Sequence, residues 1–192
     1  MHRRPLYMET WRQLATDKAM VFLSGPRQSG KTTLARTIAE EFTNHVNFNW
    51  DLDKDKTLLL KNPAFFQELN RKDASSPLVI FDEIHKYRRW KNYLKGIYDT
   101  FADQYRFLVL GSGRLDMYQK GGDSLAGRYF QFQLWPFTLA ELGAQQFYFE
   151  TFYQNPLQMP PLSSALIETW SQLAAFTGYP EPFLSGKKTF YE

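Results

Sequence analysis

Eight consecutive residues constrain this chain more than any others. Gly25-Pro26-Arg27-Gln28-Ser29-Gly30-Lys31-Thr32 fits G-x-x-x-x-G-K-[ST], and its surroundings are those the pattern needs. Ala19 to Ser24 (AMVFLS) is a short, nearly continuous apolar run, which reads as a strand buried on both faces. Lys31 to Phe42 spaces Leu34, Ile38 and Phe42 four apart, which reads as a helix. Between the two, the glycines let the backbone curl until successive amides and the helix N-terminus face one concave site for phosphate oxygens. In such a loop Lys31 reaches the β and γ phosphates, and the Thr32 hydroxyl is placed to ligate Mg²⁺.

Strand, loop and helix also begin a βαβ unit, and the rest of the chain continues the alternation. Tyr7 to Lys18 carries Tyr7, Trp11 and Leu14 at helical spacing, a leading helix whose role is packing. His45 to Leu52 alternates Val46, Phe48 and Trp50 with polar neighbours, as expected of a strand at or near a sheet edge. Asn62 and Pro63 form a helix-start signal leading into Phe65, Phe66 and Leu69. Pro77 to Phe81 and Tyr105 to Leu110 are buried strands, separated by a helical stripe of Trp90, Leu94, Ile97, Tyr98 and Phe101. Tyr129 to Trp135 is a further strand closed by Pro136, and Phe137 to Leu142 a short helix. Phe147, Tyr148, Phe149, Phe152 and Tyr153 form an aromatic cluster, NPLQMPP breaks the chain, and Leu162 to Phe176 is amphipathic. The order predicts an α/β fold, a three-layer α/β/α sandwich with a mainly parallel central sheet. Its ligand crevice lies at the carboxyl ends of the strands. The core spans residues 1–143, and 144–192 form an aromatic and helical extension.

Leu78-Val79-Ile80-Phe81 runs straight into Asp82 and Glu83, so both acids emerge where the loop does. Strand alternation would then give Asp82 to the Mg²⁺ shell opposite Thr32 and Glu83 to a water aligned on the γ phosphate. A second acid at this position favours an ATPase over a GTPase, and no N-K-x-D guanine-reading motif occurs. Ser112, after the strand Leu108-Val109-Leu110, either meets the γ phosphate or attacking water, or belongs to a plain turn of small residues. Arg128 either stabilises phosphoryl charge, in its own site or in a neighbour's, or forms a structural ion pair.

Composition narrows what this machinery serves. At 192 residues the chain holds one ordinary domain with a small appendage, and 43% hydrophobic and 17% aromatic residues exclude general disorder. The absence of cysteine removes disulfides, thiolate metal sites and cysteine nucleophiles, and points to the cytoplasm. No window has the apolar length of a bilayer span, so no membrane partner is expected. A formal net charge of +3 is too small to argue nucleic-acid binding from bulk charge. Locally, His85 to Lys95 (HKYRRWKNYLK) interleaves basic and aromatic residues, though it is read first as the solvated face of the helix carrying the core stripe. His2, His45 and His85 have no metal-ligand spacing.

GPRQSGKTT at 25–33, FDEIHK at 81–86 followed by Trp90, LGSGRL at 110–115, SLAGRY at 124–129, PFTLAEL at 136–142 and GYPEPFL at 178–184 occur in this order. The set resembles the AAA-like ATPases related to archaeal-type ATPases, within the P-loop NTPase fold. The resemblance implies ATP binding by Gly25, Pro26, Arg27, Gln28, Ser29, Gly30, Lys31, Thr32 and Thr33. It makes Asp82 and Glu83 the Walker B pair, Ser112 the sensor region and Arg128 the arginine of the L-A-G-R motif. Relatives of this kind continue into a second domain, of which 144–192 would be the start. ATP and Mg²⁺ are the expected ligands, ATP hydrolysis the expected reaction, and a homo-oligomer an admissible assembly. The alternatives are an ATP-controlled binding module with negligible turnover and a nucleic-acid-dependent ATPase, since Asp82 to His85 spells D-E-x-H.

Overall fold

Met20–Ser24 (β1) is buried along its whole length, and it earns that burial by pairing on both sides. Met20 registers with Phe107 of β4 (Arg106–Leu110) and with Tyr129 of β5 (Tyr129–Gln133), both parallel. β2 (His45–Asn49) and β3 (Leu78–Asp82) complete a five-stranded, all-parallel sheet in the order β2-β3-β4-β1-β5. These features come from a computed structural model, which describes residues 4–112, 125–143, 154–155 and 163–187. The α/β fold with a parallel sheet is therefore as the sequence implies.

The period of two along the strands divides the core between two faces. Val21, Leu23, Ile80, Leu108 and Leu110 face α1 (Pro5–Asp17) and α2 (Lys31–Ala39), which contribute Tyr7, Met8, Trp11, Leu34, Ala35 and Ile38. Met20, Phe22, Val79, Phe81, Phe107 and Val109 face α3 (Asp53–Lys61) and α4 (Trp90–Phe101), where Leu59, Leu94 and Ile97 pack. This second face is strongly aromatic: Phe66 meets Phe101, Tyr105 and Phe107 edge-on, with ring centroids 5.0–5.9 Å apart. The leading helix and the α4 stripe thus take the packing roles expected of them, and β2 is an edge strand.

The interval between β2 and β3 differs from the sequence reading. A helix precedes Asn62 instead of following it: α3 ends there, with the Asn62 N–H donating to Leu58 O at 2.8 Å. Phe65–Glu68 is only a 3-10 turn, started by Asn62 Oδ1 accepting from the Ala64 N–H at 3.1 Å. α3 (DKDKTLLLK) escapes a periodicity test because Leu59 alone of its leucines is buried while Leu58 and Leu60 face outward.

The chain divides into two compact units, one up to Leu134 and one from Trp135 onward. In the second unit, Thr138 caps the short helix Leu139–Leu142, and Ser163 caps Ser164–Phe176 through the Leu166 N–H at 3.2 Å. The Phe137 N–H donates to Gly178 O at 2.6 Å, and a Cβ on Gly178 would lie 2.3 Å from Phe137 O, so only glycine fits. The aromatic cluster at 147–153 and most of NPLQMPP lie outside the described residues.

Candidate functional site

β1 and β4 are neighbours, yet the strands that follow them lie on opposite sides: β2 beyond β4 and β3, and β5 beyond β1. Such a switch point opens a crevice at the carboxyl ends of the strands. The loop of residues 25–30 occupies this crevice, and its backbone departs from ordinary geometry three times. Gly25 has φ 150°, Gln28 φ 62° and Gly30 φ 94°. A Cβ on Gly25 would stand 2.3 Å from Leu134 O, so the loop starts pressed against backbone and tolerates no side chain there. Ser29 is fully buried and its hydroxyl donates to Pro26 O at 2.9 Å, which closes the curl from within.

Lys31, the first residue of α2, folds back over this loop. Its Nζ donates to Gly25 O at 3.0 Å and Pro26 O at 2.6 Å. Burial lowers its pKa from the ordinary lysine value, against the opposing attraction of Glu83 and Asp82. Thr32 donates through its hydroxyl to Asp82 Oδ2 at 3.2 Å. Burial pushes the Asp82 carboxyl up from its ordinary value, with Glu83 and Asp51 adding repulsion and Thr32 and Lys31 opposing them. A cavity of about 280 Å³ opens beside the Thr32–Asp82 contact, lined also by Arg36, Asn47, Asn49 and Leu110.

The meeting of Thr32 and Asp82 does not come from adjacent strands. β4 lies between β1 and β3, so the acids reach the rim of the loop from the second strand over. α2 bridges the gap, because it packs across β3 and β4 through the cluster shared by Leu34, Ala35, Ile80 and Leu110. The separation of Asp82 from Glu83 is likewise not strand alternation. β3 ends at Asp82, and Glu83 takes the left-handed conformation, φ 56°, before a 3-10 turn over Ile84–Lys86. For a residue with a Cβ this costs about 1–2 kcal/mol, and its N–H is held by Leu110 O at 3.2 Å.

Of the residues singled out by sequence, the crevice brings together Gly25 through Thr32 with Asp82 and Glu83. Arg27 and Gln28 are exposed at the loop crest, Pro26 is half-buried, and Thr33 faces outward from the first turn of α2. Ser112 stands two residues past Leu110, whose register partner is Asp82, so it shares the same rim. Arg128 does not. It precedes Tyr129, the register partner of Met20 at the amino end of β1, about 16 Å of strand away from the loop. There its guanidinium grips Asp99 of α4 through Nε at 2.6 Å and Nη2 at 3.2 Å. Its own loop is out of reach, and the ion-pair alternative is the one present.

Three participants were not legible in the sequence. Arg4 is buried under the loop and donates from Nη1 to Ser29 O at 3.2 Å, with its guanidinium 4.4 Å from the Tyr7 ring centroid. Asp51 and Lys86 form an ion pair at 2.7 Å beside Glu83. Local patterning carries no signal for contacts that depend on chain distant in sequence, except that Lys86 sits three residues after Glu83. Among the described residues no group of three His, Cys, Asp or Glu is placed to hold a metal, and no helix is long and apolar enough to cross a membrane. The residues present suit a cation shared with phosphate instead: one hydroxyl and one carboxylate 3.2 Å apart, beside the loop over which the Lys31 ammonium is folded.

Comparison with known proteins places this geometry. Residues 17–143 match the AAA domain family. Uncharacterized proteins of Mycobacterium bovis and Mycobacterium tuberculosis are each 30% identical over 125 residues, which are 65% of this chain and 27% of either relative. This chain therefore matches about a quarter of the length of those relatives. Among solved structures, a Walker-type ATPase of Pyrococcus abyssi superposes with a TM-score of 0.56 at 16% identity, covering 95% of this chain and 65% of that one. The ORC1 protein of Aeropyrum pernix, solved in complex with DNA, gives 0.55 at 12% identity, covering 96% and 58%. At those identities the two structures attest the fold.

Proposed function

The chain belongs to the AAA domain family, and from that membership we propose that it hydrolyses ATP to ADP and phosphate with Mg²⁺. The observation that carries the reading is the 3.2 Å contact of Thr32 and Asp82 beside Lys31 and Glu83. Gly25 to Thr33 would receive the phosphates. To reach them, Lys31 gives up the carbonyls of Gly25 and Pro26, and the phosphate charge compensates the burial that now disfavours its ammonium. Thr32 and Asp82 would hold Mg²⁺, which supplies charge neutralisation at the β and γ phosphates. Glu83 takes a proton from the attacking water. The water oxygen bonds to the γ phosphorus, the bond to the bridging oxygen breaks, and ADP leaves. Ser112 contacts the γ phosphate or that water from the same rim. Arg128 serves phosphoryl charge only in a neighbouring copy, and only by leaving Asp99.

The nucleic-acid reading has weaker support. Tyr87, Trp90 and Tyr93 of the basic stretch pack against the aromatic core, so its rings are not free to stack on bases, and Lys86 is bound to Asp51, although Arg88, Arg89 and Lys95 remain exposed. Phosphate release from Mg·ATP, measured for wild type and Glu83→Gln with and without DNA and with nucleotide binding on the same samples, tests all three readings. Hydrolysis predicts that Glu83→Gln keeps binding and loses on the order of 10²–10⁴-fold in turnover. Tight binding without wild-type turnover would replace it with the switch module, and turnover dependent on DNA would restore the nucleic-acid reading.

A further inference from the structure

Glu83 is held at both ends. Its backbone is fixed by the left-handed conformation and the bond to Leu110 O, and its carboxylate by the turn that follows. Oε2 lies 3.0 Å from Lys86 Nζ and 3.7 Å from His85 Nε2. An ammonium has three donors, and Lys86 directs the others to Asp51, 2.7 Å from each carboxylate oxygen. Asp51 is itself anchored. Its N–H donates to Asn49 Oδ1 at 2.9 Å, and the preceding Trp50 N–H donates to Asp82 O at 3.0 Å, continuing the β2–β3 ladder. The line Asp51–Lys86–Glu83 therefore ties the carboxylate to the end of the edge strand.

This arrangement matters because a proton acceptor works only when held within about 0.5 Å and 10–20° of its productive geometry. A glutamate has three side-chain torsions to restrain, and nothing in the phosphate loop restrains them. The Glu83 side chain is 21% exposed and that of Lys86 39%, so the pair is sheltered in part from solvent competition. We propose that Lys86 is a positioning residue for ATP hydrolysis: anchored by Asp51, it fixes the Glu83 carboxylate where it accepts the proton of the attacking water. The proposal rests on the hydrolase reading and assigns Lys86 no part in holding nucleotide.

The test is steady-state ATPase kinetics of the full chain for Lys86→Met, Lys86→Arg, Asp51→Asn and Glu83→Gln, with ADP affinity measured beside them. Lys86→Met lowers kcat about 10–100-fold while KM and ADP affinity stay at wild-type values. Lys86→Arg regains most of the loss, and Asp51→Asn shows part of it. A second readout does not need turnover: the His85 imidazole, followed by NMR. Burial depresses its pKa; Lys86 depresses it further, while Glu83, Asp51 and Asp82 oppose this. Removing the Lys86 charge raises the His85 pKa if the ammonium stands where the structure has it. An unchanged kcat, a kcat that rises because the carboxylate is released, or an unmoved His85 each overturns the proposal. If Glu83→Gln turns over like wild type, or the wild type does not turn over, the hydrolase reading fails and the positioning role falls with it. Loss at Lys86→Met, shared in part by Asp51→Asn and mostly regained by Lys86→Arg, under intact Glu83 dependence upholds both.

Discussion

Asp73 and Asp82 lie toward opposite ends of β3, and the protein treats their charges in opposite ways. At the amino end, Asp73 accepts from the Ser75 hydroxyl and from the Ser75 N–H at 2.9 Å, which with Thr43 and, least, Asn44 Nδ2 at 2.6 Å hold its carboxyl at about 2. Asn44 is 2% exposed and satisfied throughout: its Nδ2 also reaches both Ser75 oxygens, and its Oδ1 accepts from the Lys72 N–H at 2.7 Å. At the carboxyl end, Asp82 is pushed up, Lys31 is pushed down, and His85 Nδ1 is buried without a partner among the described residues. Gln28 and Glu83 add left-handed backbone at the same rim. Polar groups at one end of the sheet serve stability, whereas at the other buried charges and left-handed backbone are kept until a ligand completes them.

Three substitutions press on that contrast. The largest effect belongs to Lys31→Ala, expected to weaken ATP binding on the order of 10²-fold or more while leaving thermal stability near wild type, by titration with nucleotide and a melting scan. A melt lowered along with binding would mean that the rim is structural too. Asn44→Ala is the converse, about 2–3 kcal/mol lost in denaturant unfolding from the polar groups left unsatisfied, with nucleotide affinity unchanged in the folded fraction. Smallest is Asp82→Asn. The Asp82 carboxyl titrates higher folded than unfolded, so the unfolded chain loses its proton first as pH rises, and the cost of the charge grows from about pH 3.8 upward until the raised folded value is passed. Removing it stabilises the ligand-free protein at neutral pH by about 0.5–2 kcal/mol and removes the response to Mg²⁺. A loss of stability instead would show that the Thr32 contact outweighs burial. Asp73 has the reverse sign: its contribution is present above about pH 3.8 and lost as pH falls toward about 2.

Much of the fold could be read from letters because its rules are local. β1, β3 and β4 announce themselves as apolar runs, α4 as a stripe at 90, 94, 97 and 101, and the two ends of the loop by its glycines. α3 could not be read, since its packing rests on Leu59 among charges, and Asn62 then misled because the same side chain can end one helix and start a turn. For the site, Lys31, Thr32, Asp82 and Glu83 came from spacing. For Arg128 the letters allow either phosphoryl charge or an ion pair, and only the register of β5 sets it at the amino end of the sheet beside Asp99.

The order of strands and helices, the phosphate loop and the pair of acids were determined by the sequence alone, through periods and turn chemistry that act over a few residues. Tertiary structure decided that β4 would stand between β1 and β3, that α2 would carry Thr32 across to Asp82, and that Asp51 and Arg4 would reach the rim. Those contacts join residues 25 to 50 positions apart. Their closure depends on how the whole chain packs, which no short window encodes.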